Sequence, residues 1–195
     1  TERLLKLYGA DIKVNKKGSK KEILVNGIKD LKAIDLDIPG DPSSAIFPII
    51  AALICTDSDI LVKNILINPT RDGAFKVLQK MGAKLDFVNH RILSGEDVYD
   101  IRVRSSKLKA IIIPKKLAPT MIDDYPIIAV AASKAKGKTI MKGLSELRHK
   151  ESDRFQGIID LLINSGVKVE FKKDDIIIFG KESVKSGGFI FKTNL

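Results

Sequence analysis

Tryptophan is absent from the sequence, and its 195 residues include one cysteine and two histidines. A single cysteine forms no disulfide within the chain, so a disulfide-stapled secreted domain is excluded and a cytoplasmic location is expected. Cys55 lies in an apolar run, which favours a buried small side chain over a nucleophile. His90 and His149 have no cysteine pair near them, and we expect neither a metal centre nor a metal cofactor.

Long hydrophobic runs are also lacking. No run approaches the roughly 20 apolar residues of a membrane span, and the opening Thr-Glu-Arg-Leu-Leu-Lys is unlike a signal peptide. With 44% hydrophobic and 30% charged residues, the composition is that of a globular protein and not of a disordered one. We therefore expect no association with a membrane.

Acidic residues are outnumbered, because 34 lysines and arginines face 24 aspartates and glutamates, for a formal net charge of +10. A non-catalytic, basic repeat protein that binds nucleic acid is one explanation. Such proteins usually concentrate their charge and add exposed aromatic side chains, whereas here aromatics are 6% and the lysines are spread along the chain. Basic sites for small anionic substrates explain the charge at least as well, and we expect no nucleic acid partner.

The chain contains an internal repeat. Phe-Pro-Ile-Ile-Ala-Ala-Leu at residues 47–53 recurs as Tyr-Pro-Ile-Ile-Ala-Val-Ala at residues 125–131. A helix end closed by Gly9, Gly82 or Gly166 and followed by a short alternating strand occurs three times. The pattern predicts a repeated βαβαββ unit, and hence an α/β (α+β) fold.

Two complete units are predicted, at residues 34–108 and 109–181. Residues 1–33 are expected to be the tail end of a unit in another domain, and residues 182–195 the start of a truncated final unit. The predicted helices lie at 45–55, 71–81, 123–135 and after Glu151, and the predicted strands at 35–38, 59–62, 84–89, 99–104, 110–114, 139–142, 168–172 and 175–179.

The first helix of each unit is apolar nearly all round. A helix without a polar face must be buried on most sides. A doubly wound sheet would need longer apolar strands than these. The sequence therefore predicts buried helices inside and sheets outside.

The most charged stretch is Leu-Arg-His-Lys-Glu-Ser-Asp-Arg at residues 147–154, directly before an apolar run with helical spacing. Lys150, Glu151 and Arg154 have the i,i+3 and i,i+4 spacing that places side chains on one helical face. A helix N-terminus with added cations favours an anionic ligand beside a carboxylate. The alternative is a solvated, charged start of a surface helix.

Two other predicted helix starts carry polar residues, at Pro-Gly-Asp-Pro-Ser-Ser (39–44) and Thr-Met-Ile-Asp-Asp (120–124). Taken singly, Asp41 and Asp123 are each explained by helix capping. Because the units repeat, however, the three helix starts can converge on one face of the protein.

Taken in order, the motifs Pro-Gly-Asp-x-Ser-Ser-Ala, Ile-Asp-x-x-Pro-Ile-x-Ala-Val-Ala-Ala and Leu-Arg-x-Lys-Glu-Ser-Asp-Arg resemble the 5-enolpyruvylshikimate-3-phosphate synthase family (3-phosphoshikimate 1-carboxyvinyltransferases). The resemblance covers essentially the whole chain. It implies the inside-out α/β barrel of enolpyruvyl transferases, with two domains of three βαβαββ units each. It also implies transfer of the enolpyruvyl group from phosphoenolpyruvate to shikimate 3-phosphate, with release of phosphate and no metal or organic cofactor.

The resemblance assigns a role to five residues. Asp123 would contact the shikimate hydroxyls and accept a proton, and Glu151 would shuttle a proton to and from the enolpyruvyl methylene carbon. Lys150 would lie where shikimate 3-phosphate and phosphoenolpyruvate meet, and Arg154 would bind phosphoenolpyruvate. Asp41 would lie near the cleft between the domains.

The same resemblance implies small-molecule substrates as the partners, a cytoplasmic enzyme of the shikimate pathway, and a monomer when complete. The family's six units make its members longer than this chain. We therefore expect a fragment with most of the C-terminal domain, inactive by itself. The related transferase acting on UDP-N-acetylglucosamine is the nearest alternative, but it lacks the Lys-Glu-Ser-Asp-Arg motif.

Overall fold

The computed structural model describes residues 2–18, 20–27 and 30–181. Within these residues it has five α-helices, nine strands and three short 3-10 segments. In chain order the helices and strands are α1 (Glu2–Leu7), β1 (Ile12–Lys17), β2 (Lys20–Val25), α2 (Pro42–Ile54), β3 (Asp59–Leu66), α3 (Gly73–Lys80), β4 (Lys84–Leu93), β5 (Glu96–Arg104), β6 (Ile112–Ile113), α4 (Tyr125–Lys134), β7 (Gly137–Met141), α5 (Arg154–Asn164), β8 (Lys168–Lys172) and β9 (Asp175–Gly180).

The strands form three sheets, one in residues 1–33 and one in each of the two predicted units. β1 and β2 form an antiparallel hairpin. In the first unit the strand order is β3-β5-β4, antiparallel throughout. In the second unit the order is β6-β7-β9-β8, with β6 and β7 parallel and the other pairs antiparallel. Each of the two units therefore ends in the predicted hairpin, β4–β5 in the first and β8–β9 in the second.

The carboxylate of Asp100 fixes a β-bulge on each side of the central strand β5. It accepts hydrogen bonds from the Asn64 amide nitrogen at 2.9 Å, from Asn89 Nδ2 at 3.0 Å and from Arg91 Nη2 at 2.9 Å. Asn64 and Asn89 both have positive φ, 61° and 52°, in the left-handed region that asparagine tolerates better than most residues. Both register shifts of this sheet lie beside these asparagines, so one side chain holds both irregular strands in place.

The core is made by helices that pack against each other and against the sheets. α4 contacts α2, α5 and β9, and α2 also contacts β3 and β5. Tyr125 and Phe155 are among the largest fully buried side chains. Burial of an apolar side chain of this size stabilises the fold by about 1.5–3 kcal/mol. The predicted arrangement of helices inside and hairpin sheets outside is the one observed.

Gly73, the first residue of α3, brings the two units into close contact. A Cβ atom at this position would lie 2.3 Å from Thr120 Oγ1 and 3.0 Å from the Met121 side chain. No side chain fits there without a shift of the segment that leads into the turn at Asp123. The absence of a side chain at this one position therefore helps to set where that segment lies.

The predicted strand at 35–38 is wrong. The structure has only an isolated parallel bridge, between Gly40 and Ile65, where the first strand of this unit would lie. Ile38 is 79% exposed and so has no buried face, and Pro39 has no N–H to donate to a neighbouring strand. In the second unit the matching strand is β6, which has only two residues.

The prediction that α2 is buried on most sides, with Cys55 inside, is also wrong in part. Ile46, Ile49, Ile50 and Leu53 are fully buried, but Phe47 is 54% exposed, and Ala51 and Cys55 are exposed too. These three exposed residues recur every four positions and form one apolar stripe along the helix. By contrast, α4 buries Ile128, Ala129, Ala131 and Ala132 completely.

The remaining predicted elements are present; β8 has the predicted bounds, and the others have shifted ends. The helix predicted at 71–81 begins at Gly73, because Asn68 Oδ1 accepts from the Thr70 amide at 3.0 Å and holds the preceding residues in a turn. The strand expected at the start of the final unit, within 182–195, lies outside the described residues.

Candidate active site

Arg154 contacts the two carboxylates to which the family resemblance assigned acid–base roles. Its Nη1 lies 2.9 Å from Asp123 Oδ1, and its Nη2 lies 2.7 Å from Glu151 Oε2. Arg154 is the first residue of α5, where the helix dipole alone disfavours a cation. The negative charges of the two carboxylates offset this unfavourable interaction. Asp153 caps the helix by accepting from the Gln156 amide at 2.9 Å.

Asp123 completes the cluster from a different part of the chain. It lies on the 3-10 turn Ile122–Asp124, and its Oδ1 is 3.3 Å from Lys150 Nζ. Asp123, Lys150, Glu151 and Arg154 are therefore brought together, so two of the three predicted helix starts meet in one cluster. Below we call these four residues the charged cluster.

The helical geometry predicted for this motif is wrong in detail. Lys150 and Glu151 do not lie on a helical face with Arg154, because the 3-10 segment Ser145–His149 ends before them and α5 starts only at Arg154. The extended backbone of Lys150 lets its side chain reach Asp123 while Glu151 reaches Arg154. The motif thus forms a loop in front of the helix.

Arg148 belongs to the same motif but has a structural role. Its guanidinium carbon lies 3.8 Å from the centroid of the Phe155 ring, and its Nη1 is 3.5 Å from Asp153 Oδ2. A cation over an aromatic face at this distance is attracted to the ring. Arg148 thereby holds the 3-10 segment against the start of α5.

The charges of the cluster are open to solvent, so they are available to a ligand. The Glu151 side chain is 79% exposed. A hydrogen bond from its own backbone, followed by the charge of Arg154, holds the pKa of Glu151 below its ordinary value. Glu151 is therefore ionised at neutral pH. Exposed ion pairs of this kind add little to stability, so an anion that binds both cations can displace the carboxylates.

Asp41 lies outside the charged cluster and has its own partners. It caps α2 by accepting from the Ser44 amide at 2.7 Å and the Ser44 hydroxyl at 2.9 Å. Its other oxygen accepts from Arg71 Nη2 at 2.8 Å. Partial burial opposes the shift, but the Ser44 hydrogen bonds and the Arg71 charge lower the pKa of Asp41.

Sequence reasoning missed Arg71 and Asp124. Arg71 lies just before the second helix of its unit, as Arg154 lies at the start of the second helix of the next. A residue-by-residue alignment of the two units could have found it. Asp124 is 3% exposed, and its Oδ1 has no hydrogen-bond partner in the described part of the chain. Nothing in the sequence separates its buried carboxyl from the exposed one of Asp123.

No group of three or more His, Cys, Asp and Glu side chains suited to a metal ion occurs in residues 2–18, 20–27 and 30–181. The same residues contain no helix of the length and apolarity that a membrane span needs.

The sequence model of the EPSP synthase family (3-phosphoshikimate 1-carboxyvinyltransferase) matches residues 1–191. The chain is 47% identical to the 3-phosphoshikimate 1-carboxyvinyltransferase of Chelativorans sp. (strain BNC1) and 44% identical to that of Pseudomonas sp. (strain PG2982). Each comparison covers 100% of this chain and 44% of the relative, so the chain spans less than half the length of these proteins.

Solved structures are similar as well. EPSP synthase from Acinetobacter baumannii superposes with a TM-score of 0.85 at 38% identity, over 95% of this chain and 41% of the other. The enolpyruvyl transferase NikO from Streptomyces tendae shares the fold alone, with a TM-score of 0.61 at 17% identity, over 89% of this chain and 37% of the other. The predicted fold class, with the inside-out α/β architecture of enolpyruvyl transferases, is confirmed. The repeated units, the order of the three motifs and the match over residues 1–191 together show that this chain belongs to the EPSP synthase family.

Proposed function

We propose that the protein containing this chain transfers the enolpyruvyl group of phosphoenolpyruvate to the 5-hydroxyl of shikimate 3-phosphate and releases inorganic phosphate. The observation that carries the proposal is the Arg154 guanidinium, which bridges Asp123 at 2.9 Å and Glu151 at 2.7 Å. Two carboxylates on either side of one cation give an addition reaction both a proton acceptor and a proton donor, with an anion site between them.

The reaction has two steps, an addition and an elimination, and each step needs two proton transfers. In the addition step, the hydroxyl oxygen bonds to C2 of phosphoenolpyruvate, its proton passes to Asp123, and a proton from Glu151 is added to C3. In the elimination step, the bond from C2 to the phosphate oxygen breaks, Glu151 takes a proton back from the new methyl group, and the proton held by Asp123 passes to the leaving phosphate. The products are the enolpyruvyl ether and inorganic phosphate, so atoms and charge balance.

The ionised state of Glu151 in the free site fits this sequence of events. Its carboxylate is stabilised by Arg154 and Lys150, so it holds no proton to donate before substrate binds. When the carboxylate and phosphate of phosphoenolpyruvate engage Arg154, that stabilisation is shared with the substrate. Glu151 then takes up a proton more readily, next to the carbon that needs it.

Lys150 and Arg154 would supply the fixed positive charge. A planar guanidinium binds a carboxylate through two parallel hydrogen bonds, whereas an ammonium acts as a point charge that can be shared between two substrates. We therefore assign phosphoenolpyruvate to Arg154 and the junction of the two substrates to Lys150. Asp41, paired with Arg71, is assigned to the edge of the cleft between the domains.

We further infer that residues 34–108 and 109–181 are two of three units in one domain. The exposed apolar stripe of Phe47, Ala51 and Cys55 supports this inference, because a third packed unit would cover it. Residues 1–33 would close a unit of the other domain, and 182–195 would open the final unit. We propose that the complete protein acts as a cytoplasmic monomer without a nucleic acid partner.

The test is an assay of the full-length protein for phosphate release. We expect release with phosphoenolpyruvate and shikimate 3-phosphate together and none with either alone. Release with UDP-N-acetylglucosamine in place of shikimate 3-phosphate would contradict the proposal and favour the related transferase. Binding of nucleic acid with a steep salt dependence and no phosphate release would favour the non-catalytic alternative.

A further inference from the structure

Gly73, the first residue of α3, is a glycine for which the local backbone gives no reason. Its φ is not in the positive range that favours glycine, so a residue with a side chain could adopt the same backbone conformation. Glycine is also a poorer helix former than alanine. The reason for a glycine here therefore lies in what surrounds the residue.

The surroundings of Gly73 leave no room for a side chain. A Cβ atom there would lie 2.3 Å from Thr120 Oγ1 and 3.0 Å from both Cβ and Cγ of Met121. Non-bonded heavy atoms in contact lie about 3.5 Å apart, so the nearest contact falls short by about 1 Å. Thr120 Oγ1 is held by its hydrogen bond to the Leu117 carbonyl at 2.8 Å, and Met121 is 2% exposed. A methyl group at position 73 must therefore displace residues 120–121.

Thr120 and Met121 lead directly into the turn that carries Asp123. The 3-10 turn Ile122–Asp124 follows Met121, and the Asp124 amide donates to the Met121 carbonyl at 3.0 Å. Asp123 lies inside this hydrogen-bonded turn. A displacement of Met121 is therefore passed on to Asp123.

The Asp123 carboxylate tolerates little displacement. Its Oδ1 lies 2.9 Å from Arg154 Nη1 and 3.3 Å from Lys150 Nζ. An N–H···O hydrogen bond is lost beyond about 3.5 Å, so a shift of about 1 Å separates Asp123 from both cations.

We propose that Gly73 is a positioning residue for Asp123. The first unit approaches the second most closely where Gly73 has no side chain, and this contact sets where Asp123 lies relative to Arg154 and Lys150. The proposal rests on the proposed function in taking Asp123 as the proton acceptor.

The first test is a crystal structure of the ligand-free, full-length Gly73→Ala variant beside that of the wild type. We expect the distance from Asp123 Oδ1 to Arg154 Nη1 to exceed about 3.5 Å in the variant. Gly157→Ala is the matched control. Gly157 also lies in a helix, α5, without a positive φ, and a Cβ atom there would meet nothing within 4 Å. This control should keep the wild-type distance.

The second test is a set of double mutants compared in kcat. Gly73→Ala should lower kcat by about 10²-fold, as expected when a reacting group is misplaced by about 1 Å. In the Asp123→Asn background the same substitution should have no further effect, since Gly73 acts through Asp123. Gly157→Ala should leave kcat unchanged.

Thr120→Ala provides a rescue, because it removes the atom nearest to the new methyl group. The double variant Gly73→Ala/Thr120→Ala should regain most of the kcat that Gly73→Ala loses. A general loss of stability would not be rescued in this way, since Thr120→Ala also removes the hydrogen bond to Leu117.

A wild-type distance from Asp123 to Arg154 in Gly73→Ala, additive losses with Asp123→Asn, or no rescue by Thr120→Ala would each overturn the proposal. If Gly73→Ala fails to fold, the double variant decides. A folded double variant with the kcat of Thr120→Ala alone supports the proposal, and one that is unfolded or much slower overturns it. If the full-length protein releases no phosphate at all, the proposed function fails on its own, and the crystal structures still decide whether Gly73 positions Asp123.

Discussion

The Arg154 guanidinium lies 2.9 Å from the Asp123 carboxylate, although the two residues are 31 positions apart in sequence. The first unit contains the same relationship, because Arg71 lies 2.8 Å from Asp41 over a separation of 30 positions. In both units a carboxylate at the start of the first helix pairs with an arginine at the start of the second. Only the second unit adds Lys150 and Glu151, so we place the chemistry there.

Glu151→Gln should lower kcat in the full-length protein by about 10²–10⁴-fold, the range typical of a lost general acid–base group. Phosphoenolpyruvate should still bind, because Lys150 and Arg154 remain. Steady-state kinetics with both substrates measure this. Glu170→Gln, which changes an exposed carboxylate on β8, is the control, and a kcat of Glu151→Gln equal to that of the control would refute the role.

Arg154→Ala should mainly raise KM for phosphoenolpyruvate. It removes binding that is shared by the ground state and the transition state, so kcat should change less than KM. Arg102→Ala is a matched control, since Arg102 also pairs with an aspartate, at 2.7 Å, but on the outer sheet. An unchanged KM, together with a large fall in kcat, would show that Arg154 acts on the reaction step instead.

Acid should destabilise the chain through Asp100. Three hydrogen bonds, the largest effect being that from the Asn64 amide, lower the pKa of Asp100 to about 2. A lowered folded-state pKa gives stability that is present above the unfolded value, about 3.9, and is lost as pH falls through the folded value. Melting temperatures between pH 7 and pH 2 should therefore fall less steeply for Asp100→Asn, which starts lower at pH 7. Parallel curves for variant and wild type would contradict this.

Tyr125→Phe should leave the stability unchanged or raise it. The Tyr125 ring is fully buried, its hydroxyl has no partner in the described part of the chain, and burial raises the pKa of Tyr125 to about 12. A buried hydroxyl without a partner costs about 1–3 kcal/mol, and its removal keeps the ring packing. Urea unfolding measures the difference. A loss of more than about 1 kcal/mol would indicate a hydrogen-bond partner such as a buried water.

The 195-residue chain alone should melt cooperatively and show no turnover. Two packed units give it a core around α2, α4 and α5, yet it spans less than half the length of its relatives. Calorimetry and the phosphate assay test the two halves of this prediction. Turnover near that of the full-length protein, or a melt without a cooperative transition, would contradict it.

Local sequence patterns were enough to predict the repeat and the order of most helices and strands, because apolar periodicity and glycine at helix ends act over a few residues. The four residues of the charged cluster were predicted through the resemblance of the three motifs to a known family. The strand predicted at 35–38 failed because a strand needs a neighbour, and local sequence does not say whether one is within reach.

Only the tertiary structure decided which groups meet across the units. Asp123 and Asp124 are adjacent residues of the same type, and packing alone placed one beside Lys150 and Arg154 and buried the other at the start of α4. The helices α2 and α4 have similar apolar sequences. In the structure, however, Phe47 of α2 is exposed, whereas α4 is enclosed by α2, α5 and β9. Burial depends on which surfaces the rest of the fold brings together. For that reason the environment of a carboxyl group or an apolar face is settled in three dimensions and not along the chain.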